Sequence, residues 1–325
     1  MQTKGDKSGM KIKEIFKNCL DVKEKDGWLA PVRFADERIE KYLLREPRRV
    51  RAMAPSGIYL GFTTASKTIS FKYRITGKSR EWAWIDVLFG GVLHESIELS
   101  SDEGALTLSL PADESVPVSI YLPHLVVFEL SDINFECELV PTPKKEKLWL
   151  ALGDSITQGM VATRPSRHYT VLLAEKFGCD LVNQGIGGLT FVPDDIVPLE
   201  RYPDVVTVAL GTNDWVMVSE GGVYNDAKEY LSRVVAAYPK SKIYGIVPIW
   251  RNDEQTLNSG VNFAEHREKI FAAYREFPEI TLIDGYDLGP HDSSLYGDPS
   301  ETRVHPSEQG FEHYAKNLVI KGFSV

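Results

Sequence analysis

The chain contains few cysteines, and their spacing excludes two common kinds of protein. Its 325 residues include three of them, an odd and widely spaced set made of Cys19, Cys137 and Cys179. Such a set forms neither a disulfide framework nor a metal-binding cluster. We therefore expect free thiols in a reducing compartment, and we expect neither a metal ion nor any other cofactor.

The chain also lacks an excess of positive charge and any long apolar run. Lys and Arg number 37 against 46 Asp and Glu, which gives a net charge of −9. An acidic chain gains nothing from neutralising phosphates, so nucleic acid and membrane surfaces are not expected as partners. No stretch reaches the roughly 20 apolar residues of a membrane span, and the first residues contain no apolar signal-peptide core. These absences predict a cytoplasmic globular protein.

Residues 26–143 are predicted to form a jelly-roll-like β-sandwich domain, after an N-terminal segment at residues 1–25. Apolar and polar residues alternate in the segments TISFKYRI, ALTLSL and VPVSIYLP, and turn-forming sequences separate them. Period-two alternation over many short segments, with little helical periodicity, is typical of two packed antiparallel sheets. The segment PTPKKEK at 141–147 is expected to contain the domain boundary.

Residues 144–325 are predicted to form an α/β domain with a parallel sheet. Segments of helical periodicity alternate with short apolar strands, which are LWLAL, DLV, DVVTVAL, KIYGIV and ITLI. This alternation indicates a parallel sheet that helices cover on both faces. Ligands of such sheets bind beyond the carboxyl ends of the strands. The segments that follow the strands are therefore candidates for a functional site.

The segment GDSITQG at 153–159 follows the first of these strands directly. A serine on a sharp turn between a strand and a helix is exposed, and the helix N-terminus favours negative charge beside it. Ser155 therefore suits a nucleophile whose reaction intermediate carries an oxyanion. Taken alone, the segment is also compatible with a capped helix start or with a phosphate-binding turn.

Two further segments follow the next two strands. NQGIGG at 183–188 contains glycines that let the backbone approach a ligand and present its N–H groups. GTND at 211–214 contains Asn213, whose side-chain amide could face developing negative charge. Taken alone, each segment is better explained as an ordinary turn or helix cap.

The segment VHPSEQGF at 304–311 precedes the last predicted helix. Because Pro306 fits the start of a helix, His305 is expected in a loop with its ring free to reach the sheet edge. The other histidines have no comparable setting. His266 and His313 fall in helical patterns, where surface or half-buried positions are expected.

In this order, the four segments resemble the four sequence blocks of the SGNH/GDSL hydrolase superfamily, over about residues 147–325. The resemblance implies a flavodoxin-like three-layer α/β/α domain and an esterase that acts through an acyl-enzyme. It also implies that Ser155 is the nucleophile and His305 its general base and acid. The backbone N–H groups of Ser155 and Gly188 and the side-chain amide of Asn213 would then form the oxyanion hole.

One position departs from the family pattern. The family usually has an Asp three residues before the catalytic His, and this chain has Thr302 there. Glu301 or Asp298 could reach His305 from a shifted loop. Alternatively, a backbone carbonyl orients the ring in a Ser–His dyad, or the enzyme is weakened, since loss of the orienting carboxylate can cost about 10⁴ in rate. The resemblance makes Asp154 a support of the turn and not the triad acid.

The expected substrate is a small acyl ester, preferably an acetyl ester, of a carbohydrate or another small molecule. A β-sandwich ahead of an SGNH domain resembles two-domain carbohydrate acetylesterases and some SGNH acyltransferases. Trp215, Trp250 and Arg251 follow strands at the carboxyl edge and are expected to bind the sugar, although the tryptophans could instead pack between loops. The alternatives are an acyltransferase acting on a small molecule and a catalytically decayed carbohydrate-binding protein.

Overall fold

The computed structural model describes residues 12–42, 46–217, 222–258, 260–298 and 303–325. The chain divides into two compact units. Unit 1 contains residues 1–145 together with 163–166, and unit 2 contains residues 146–162 and 167–325. This division falls between 145 and 146, close to the expected boundary between 143 and 144.

The described part of unit 1 contains two antiparallel sheets, and its helices include α1 (Asp36–Tyr42) and α2 (Glu46–Met53). Its strands are β1 (Phe16–Lys17), β2 (Asp21–Lys25), β3 (Trp28–Val32), β4 (Tyr59–Thr63), β5 (Thr68–Lys78), β6 (Trp84–Phe89), β7 (Val92–Glu98), β8 (Glu103–Ser109), β9 (Val118–Tyr121), β10 (Val126–Phe135) and β11 (Val140–Pro141). One sheet has the order β1-β4-β9-β6-β7, with β11 also paired to β4, and the other has the order β2-β3-β10-β5-β8.

The two sheets of unit 1 share one hydrophobic core. Alternating apolar residues of both sheets turn inward, as Ile69, Phe71 and Tyr73 do on β5 and Val118 and Ile120 do on β9. The period-two pattern of the sequence is therefore the pattern of burial, and the predicted sandwich is confirmed.

The beginning of the sandwich differs from the expectation. Residues 1–25 were expected to precede the domain, but β1 pairs with β4 and β2 pairs with β3. These two strands are short, and β2 has only Val22 buried, so their alternation is too brief to be recognised in the sequence.

Unit 2 contains a five-stranded parallel sheet with the order β13-β12-β14-β15-β16. Its strands are β12 (Leu148–Gly153), β13 (Asp180–Gly185), β14 (Val205–Ala209), β15 (Lys242–Ile246) and β16 (Ile280–Ile283). Its helices are α3 (Ser155–Gln158), α4 (Tyr169–Phe177), α5 (Gly222–Ala237), α6 (Phe263–Arg275) and α7 (Glu308–Ile320), and short 3-10 turns occur at Pro193–Asp195 and Ser293–Leu295.

The strand order of unit 2 places helices on both faces of its sheet. The chain moves from β12 to β13 in one direction and from β14 through β15 to β16 in the other. Because parallel crossovers are right-handed, this reversal sends the intervening helices to opposite faces. Helix α4 packs against α7, and α5 packs against α6. The flavodoxin-like three-layer fold is thereby confirmed, and the reversal point lies at the carboxyl end of β12.

The three cysteines are free, and no helix in the described ranges is long and apolar enough to cross a membrane. Burial raises the pKa of the Cys19 and Cys179 thiols to about 12. Both thiols are therefore protonated at neutral pH and are poor nucleophiles.

Candidate active site

The turn after β12 holds Ser155 at the carboxyl edge of the sheet. β12 is buried along its whole length and pairs with β13 on one side and β14 on the other. Asp154 caps the short helix α3, since its Oδ1 accepts a hydrogen bond from the N–H of Ile156 at 2.9 Å. The helix ends at Gly159, which has a φ of 88° that a side chain would strain. Ser155 therefore lies at the N-terminus of a turn that both neighbouring strands support.

The structure brings Ser155, His305 and Asp298 together in one hydrogen-bonded chain. The Nε2 atom of His305 lies 2.7 Å from the Oγ atom of Ser155. On the other side of the ring, Nδ1 lies 2.6 Å from Oδ1 of Asp298. Of the two acids considered from the sequence, Glu301 lies outside the described residues, as does Thr302. The group next to Nδ1 is the carboxylate of Asp298 and not a backbone carbonyl.

Backbone pairing on either side of Asp298 and His305 explains how an acid seven residues before the histidine reaches its ring. Tyr296 and Pro306 form a β-bridge. Next to this bridge, the N–H of Gly297 donates to the carbonyl of His305 at 3.0 Å. Asp298 follows Gly297 and is therefore carried to the side of His305. We call residues 296–298 and 303–306 together the histidine loop.

The carboxylate of Asp298 is also held by the backbone of the histidine loop. Its Oδ2 atom accepts hydrogen bonds from the N–H groups of Val304 and His305, at 2.8 and 2.7 Å. Burial alone would raise the pKa of Asp298, but the hydrogen bonds and the charge interaction with His305, together with these two N–H groups, outweigh burial and lower the pKa below its ordinary value. The carboxylate is therefore kept ionised next to the imidazole ring.

Gly188 and Asn213 lie in the loops after β13 and β14, which flank the strand that carries Ser155. Each is partly exposed, while the residues on either side of it are buried. The two loops are joined to each other, because the Asn213 side-chain amide donates to the carbonyl of Leu189 at 2.9 Å. In addition, Asp214 accepts a hydrogen bond from the N–H of Phe191 at 3.0 Å.

Two buried side chains hold the backbone of the GTND turn. The ring Nε2 of His266 lies 2.7 Å from the carbonyl of Gly211. Burial lowers the pKa of His266 to about 4, so the neutral ring donates from Nε2 to this carbonyl at neutral pH. The guanidinium of Arg251 donates to the carbonyl of Thr212 at 3.2 Å. The two residues that precede Asn213 are thus each held by a buried side chain.

Two of the three residues expected to bind a sugar are packing residues in this structure. Trp215 has 1% of its surface exposed, and its Nε1–H donates to the carbonyl of Val261 at 3.0 Å. Arg251 has 5% exposed, lies 4.7 Å from the Trp215 ring centroid and forms an ion pair with Asp253. The expectation for these two residues is corrected, because their hydrogen-bonding groups and ring faces are engaged inside unit 2.

Trp250 differs, because it is partly exposed and lies against the histidine loop. Its ring meets that of Tyr296 edge to face at 5.4 Å and stacks on that of His291 at 5.7 Å. The hydroxyl of Tyr296 donates to the Trp250 carbonyl at 3.3 Å. Trp250 therefore remains a candidate for contact with substrate.

Two residues that shape this site were not predicted from the sequence. His266 was expected at a surface or half-buried position in its helix, but it has 4% of its surface exposed. The helical pattern did place it on the same face as the buried Phe263 and Ile270, which is the signal that was available. Gln158, inside GDSITQG, is fully buried and accepts a hydrogen bond from the N–H of Gly187. No group of three or more His, Cys, Asp or Glu among the described residues is placed to hold a metal ion.

The three-layer fold of unit 2 is that of an SGNH-type ester hydrolase. Residues 151–313 match the GDSL-like Lipase/Acylhydrolase family, and this match spans half of the chain. The chain belongs to this family. A comparison of the sequence with curated proteins yields no match.

Solved structures resemble the chain across most of its length. The salicylyl-acyltransferase SsfX3 from a tetracycline biosynthetic pathway is 25% identical, with a TM-score of 0.77 over 94% of this chain and 93% of that one. A family two carbohydrate esterase from Clostridium thermocellum in complex with cellohexaose is 16% identical, with a TM-score of 0.59 over 81% and 90% of the two chains. The acetyl xylan esterase Est2A from the rumen bacterium Butyrivibrio proteoclasticus is 15% identical, with a TM-score of 0.56 over 81% and 88%.

Proposed function

We propose that the protein hydrolyses small acyl esters through an acyl-enzyme formed on Ser155. The observation that carries this proposal is the hydrogen-bonded chain from Ser155 through His305 to Asp298. His305 takes the proton of the Ser155 hydroxyl as its oxygen attacks the ester carbonyl. The same nitrogen then protonates the leaving alcohol. In the second half-reaction His305 activates a water molecule, which releases the acid and restores the serine.

Asp298 orients the imidazole and stabilises its charged form. Its Oδ1 faces Nδ1, which fixes the proton there and leaves Nε2 free to accept the serine proton. The lowered pKa of Asp298 supports this role, because the carboxylate stays ionised when the imidazolium forms. The proposal therefore assigns a full triad rather than a Ser–His dyad or a weakened site.

The oxyanion hole consists of the N–H groups of Ser155 and Gly188 and the side-chain amide of Asn213. Gly188 and Asn213 support this assignment, because each is partly exposed while its two neighbours in the chain are buried. The Asn213 amide donates one hydrogen to the Leu189 carbonyl, which fixes its plane, and its second hydrogen is available to an oxyanion. Donors held in place before the reaction stabilise the intermediate without reorganisation.

The proposed substrate is an acetyl or similarly small ester of a carbohydrate. Trp250 supports the carbohydrate, because a partly exposed indole beside the histidine loop offers a flat apolar surface to a sugar ring. Carbohydrate esterases that share the fold, one of them crystallised with cellohexaose and one named for acetyl xylan, agree with this choice. The enzyme is expected to act in the cytoplasm on imported oligosaccharides or metabolites.

Hydrolysis of 4-nitrophenyl acetate and of an acetylated oligosaccharide tests the proposal. Wild-type protein should release acetate from both, and Ser155→Ala should abolish the release. The matched control is Ser166→Ala, which removes a serine hydroxyl that hydrogen-bonds Asp86 within unit 1 and should leave turnover intact. A wild-type protein without turnover, or one that Ser155→Ala matches in rate, would instead indicate a decayed carbohydrate-binding protein.

A second candidate is acyl transfer to an alcohol from the same acyl-enzyme. The observation that favours it is the similarity to the acyltransferase SsfX3, which extends over nearly all of both chains. Hydrolysis and transfer differ in whether water or an alcohol reaches the acyl-enzyme. Addition of an acceptor alcohol at millimolar concentration should therefore divert most of the acyl group from acetate to a new ester if transfer is the reaction. Unchanged acetate release would favour the hydrolase.

A further inference from the structure

Gln158 connects the helix that begins at Ser155 to the loop that contains Gly188. It is the last residue of α3 and has no exposed surface. Its side-chain Oε1 accepts a hydrogen bond from the N–H of Gly187 at 2.9 Å. Gly187 directly precedes Gly188, so this bond holds the peptide unit next to a proposed oxyanion-hole donor.

The backbone on both sides of this hydrogen bond is closely packed. The N–H of Gln158 donates to the carbonyl of Asp154 at 3.0 Å. A Cβ atom at Gly185 would lie 2.4 Å from this same backbone nitrogen, so only glycine fits there. Asn183 adds two bonds, from its side-chain amide to the Thr157 carbonyl at 2.7 Å and from the N–H of Gly185 to its Oδ1 at 2.9 Å. The first residues of the NQGIGG segment are thus attached to α3.

Beyond Gly185, the N–H of Ile186 donates to the carbonyl of Gly153 at 3.1 Å, and the N–H of Leu189 donates to the carbonyl of Ile186 at 3.0 Å. Gly187 and Gly188 have wide conformational freedom, and Gly188 adopts a φ of 77°. A donor must lie within about 2.7–3.1 Å of the developing oxyanion to stabilise it. The hydrogen bond from the Gly187 N–H to Gln158 fixes the backbone one residue before Gly188, whose N–H needs this precision.

We propose that Gln158 is a positioning residue that aligns the N–H of Gly188 with the oxyanion of the acyl-transfer reaction. A neutral amide suits this position, because a carboxylate could accept the same hydrogen bond but would place negative charge beside the developing oxyanion. The inference rests on the proposed esterase reaction and adds a requirement to it: α3 must control the geometry of the oxyanion hole as well as that of the nucleophile.

Gln158→Met tests the inference, since methionine fills a similar volume and accepts no strong hydrogen bond. We expect kcat for 4-nitrophenyl acetate to fall about 10- to 100-fold, less than the 10²–10³ lost when a donor itself is removed. KM should change less than threefold. Affinity for a boronic acid that forms a tetrahedral adduct with Ser155 should fall by the same factor as kcat/KM, because this adduct needs the same donor.

Thr207→Val is the matched control, because it removes another buried hydrogen bond of unit 2, from Trp149 Nε1 at 3.0 Å in the middle of the sheet. It should lower the melting temperature without lowering kcat. A Gln158→Met enzyme with kcat within twofold of wild type, or a fall in kcat that Thr207→Val reproduces, overturns the inference. Loss of activity in Ser155→Ala shows separately whether the proposed reaction itself is right.

Gln158→Glu keeps the inference testable if Gln158→Met does not fold. The protonated carboxyl group accepts the Gly187 N–H as the amide does, and the ionised group adds negative charge near the oxyanion. The ratio of its kcat to that of wild type should therefore decrease as the pH rises from 5 to 9. A ratio close to one at every pH would contradict the proximity of this side chain to the oxyanion.

Discussion

Asp154 precedes Ser155 and Asp298 faces His305, and the two carboxylates are held in different ways. Asp154 precedes the nucleophile, has 2% of its surface exposed and caps α3 through a hydrogen bond to Oδ1. Burial raises its pKa to about 7, and the nearby charge of Asp214 adds to this effect. Asp298 accepts two backbone N–H groups on Oδ2 and faces the imidazole with Oδ1, and its pKa is lowered.

The difference shows that proximity to the serine does not make an acid a triad member. Asp154 is in an environment that disfavours its charge, so its function is to cap a turn, which a neutral side chain can also do. Asp298 is in an environment that favours its charge, so it can stabilise an imidazolium ion. Replacement of each carboxylate by a carboxamide should separate the two functions.

Asp298→Asn should have the largest effect on catalysis. The amide can donate a hydrogen to Nδ1, which favours the tautomer with its proton on Nε2 and prevents that nitrogen from accepting the serine proton. We expect kcat to fall about 10³- to 10⁴-fold with little change in KM. Steady-state kinetics on 4-nitrophenyl acetate measures this loss. A reduction of less than tenfold would show that another group orients His305, as in a dyad.

Asp154→Asn should affect stability in a pH-dependent way. The folded-state pKa of about 7 lies above the ordinary value of 3.8, so the folded protein binds the extra proton between these values. Wild-type stability therefore decreases as the pH rises through this window, by roughly 4 kcal/mol for a shift of this size. Asparagine retains the cap and carries no charge. The stability of the variant minus that of wild type should therefore increase from pH 4 to pH 7. Above pH 7 this difference should stay constant.

Urea unfolding at a series of pH values measures this difference. Asp113→Asn is a suitable control, because Asp113 is exposed and its pKa is lowered by hydrogen bonds from Ser115. The Asp113→Asn variant should not become more stable relative to wild type as the pH rises. An Asp154→Asn curve parallel to that of wild type would show that Asp154 is ionised in the folded protein at acidic pH.

The serine side of the site could be predicted because its geometry is local. A buried strand, an aspartate two residues before a helical N–H and a glycine that ends the turn are all present within GDSITQG. The loops with Gly188 and Asn213 follow the strands that pair with β12, so strand order alone brings them to the same edge. Four short segments in the right order were therefore sufficient to predict that these residues lie at one edge of the sheet.

The histidine side could be predicted only in part, because it depends on a loop that no periodic pattern marks. Asp298 was one of two acids predicted to reach His305, but its contact with the ring depends on the pairing of Tyr296 with Pro306. Nor does the sequence distinguish the buried Trp215 from the partly exposed Trp250. Both follow strands, and their exposure depends on which neighbouring loop covers them.

Asn213→Ala tests the serine side at its third proposed donor. Removal of one oxyanion-hole donor costs about 10²–10³ in kcat. Because the amide also donates to the Leu189 carbonyl, the change could disturb the loop. Asn213→Asp is therefore informative, since it removes the donor, keeps the shape of the side chain and adds a negative charge that repels the oxyanion. This variant should be at least as slow as Asn213→Ala. Equal rates for wild type and Asn213→Ala would remove this residue from the oxyanion hole.

Trp250→Ala should have the smallest effect, and one that depends on the substrate. The indole packs on Tyr296 of the histidine loop and is partly exposed, so it can contact a sugar ring without touching the reacting atoms. We expect KM for an acetylated oligosaccharide to rise about tenfold, or 1.4 kcal/mol, which is within the range of a single aromatic contact. Trp250→Phe should recover most of this loss. Values of kcat/KM for 4-nitrophenyl acetate should change less than twofold, because this ester has no sugar. An equal loss on both substrates would mean that Trp250 stabilises the histidine loop through Tyr296 and does not contact the sugar. The histidine side would then lack its proposed carbohydrate contact.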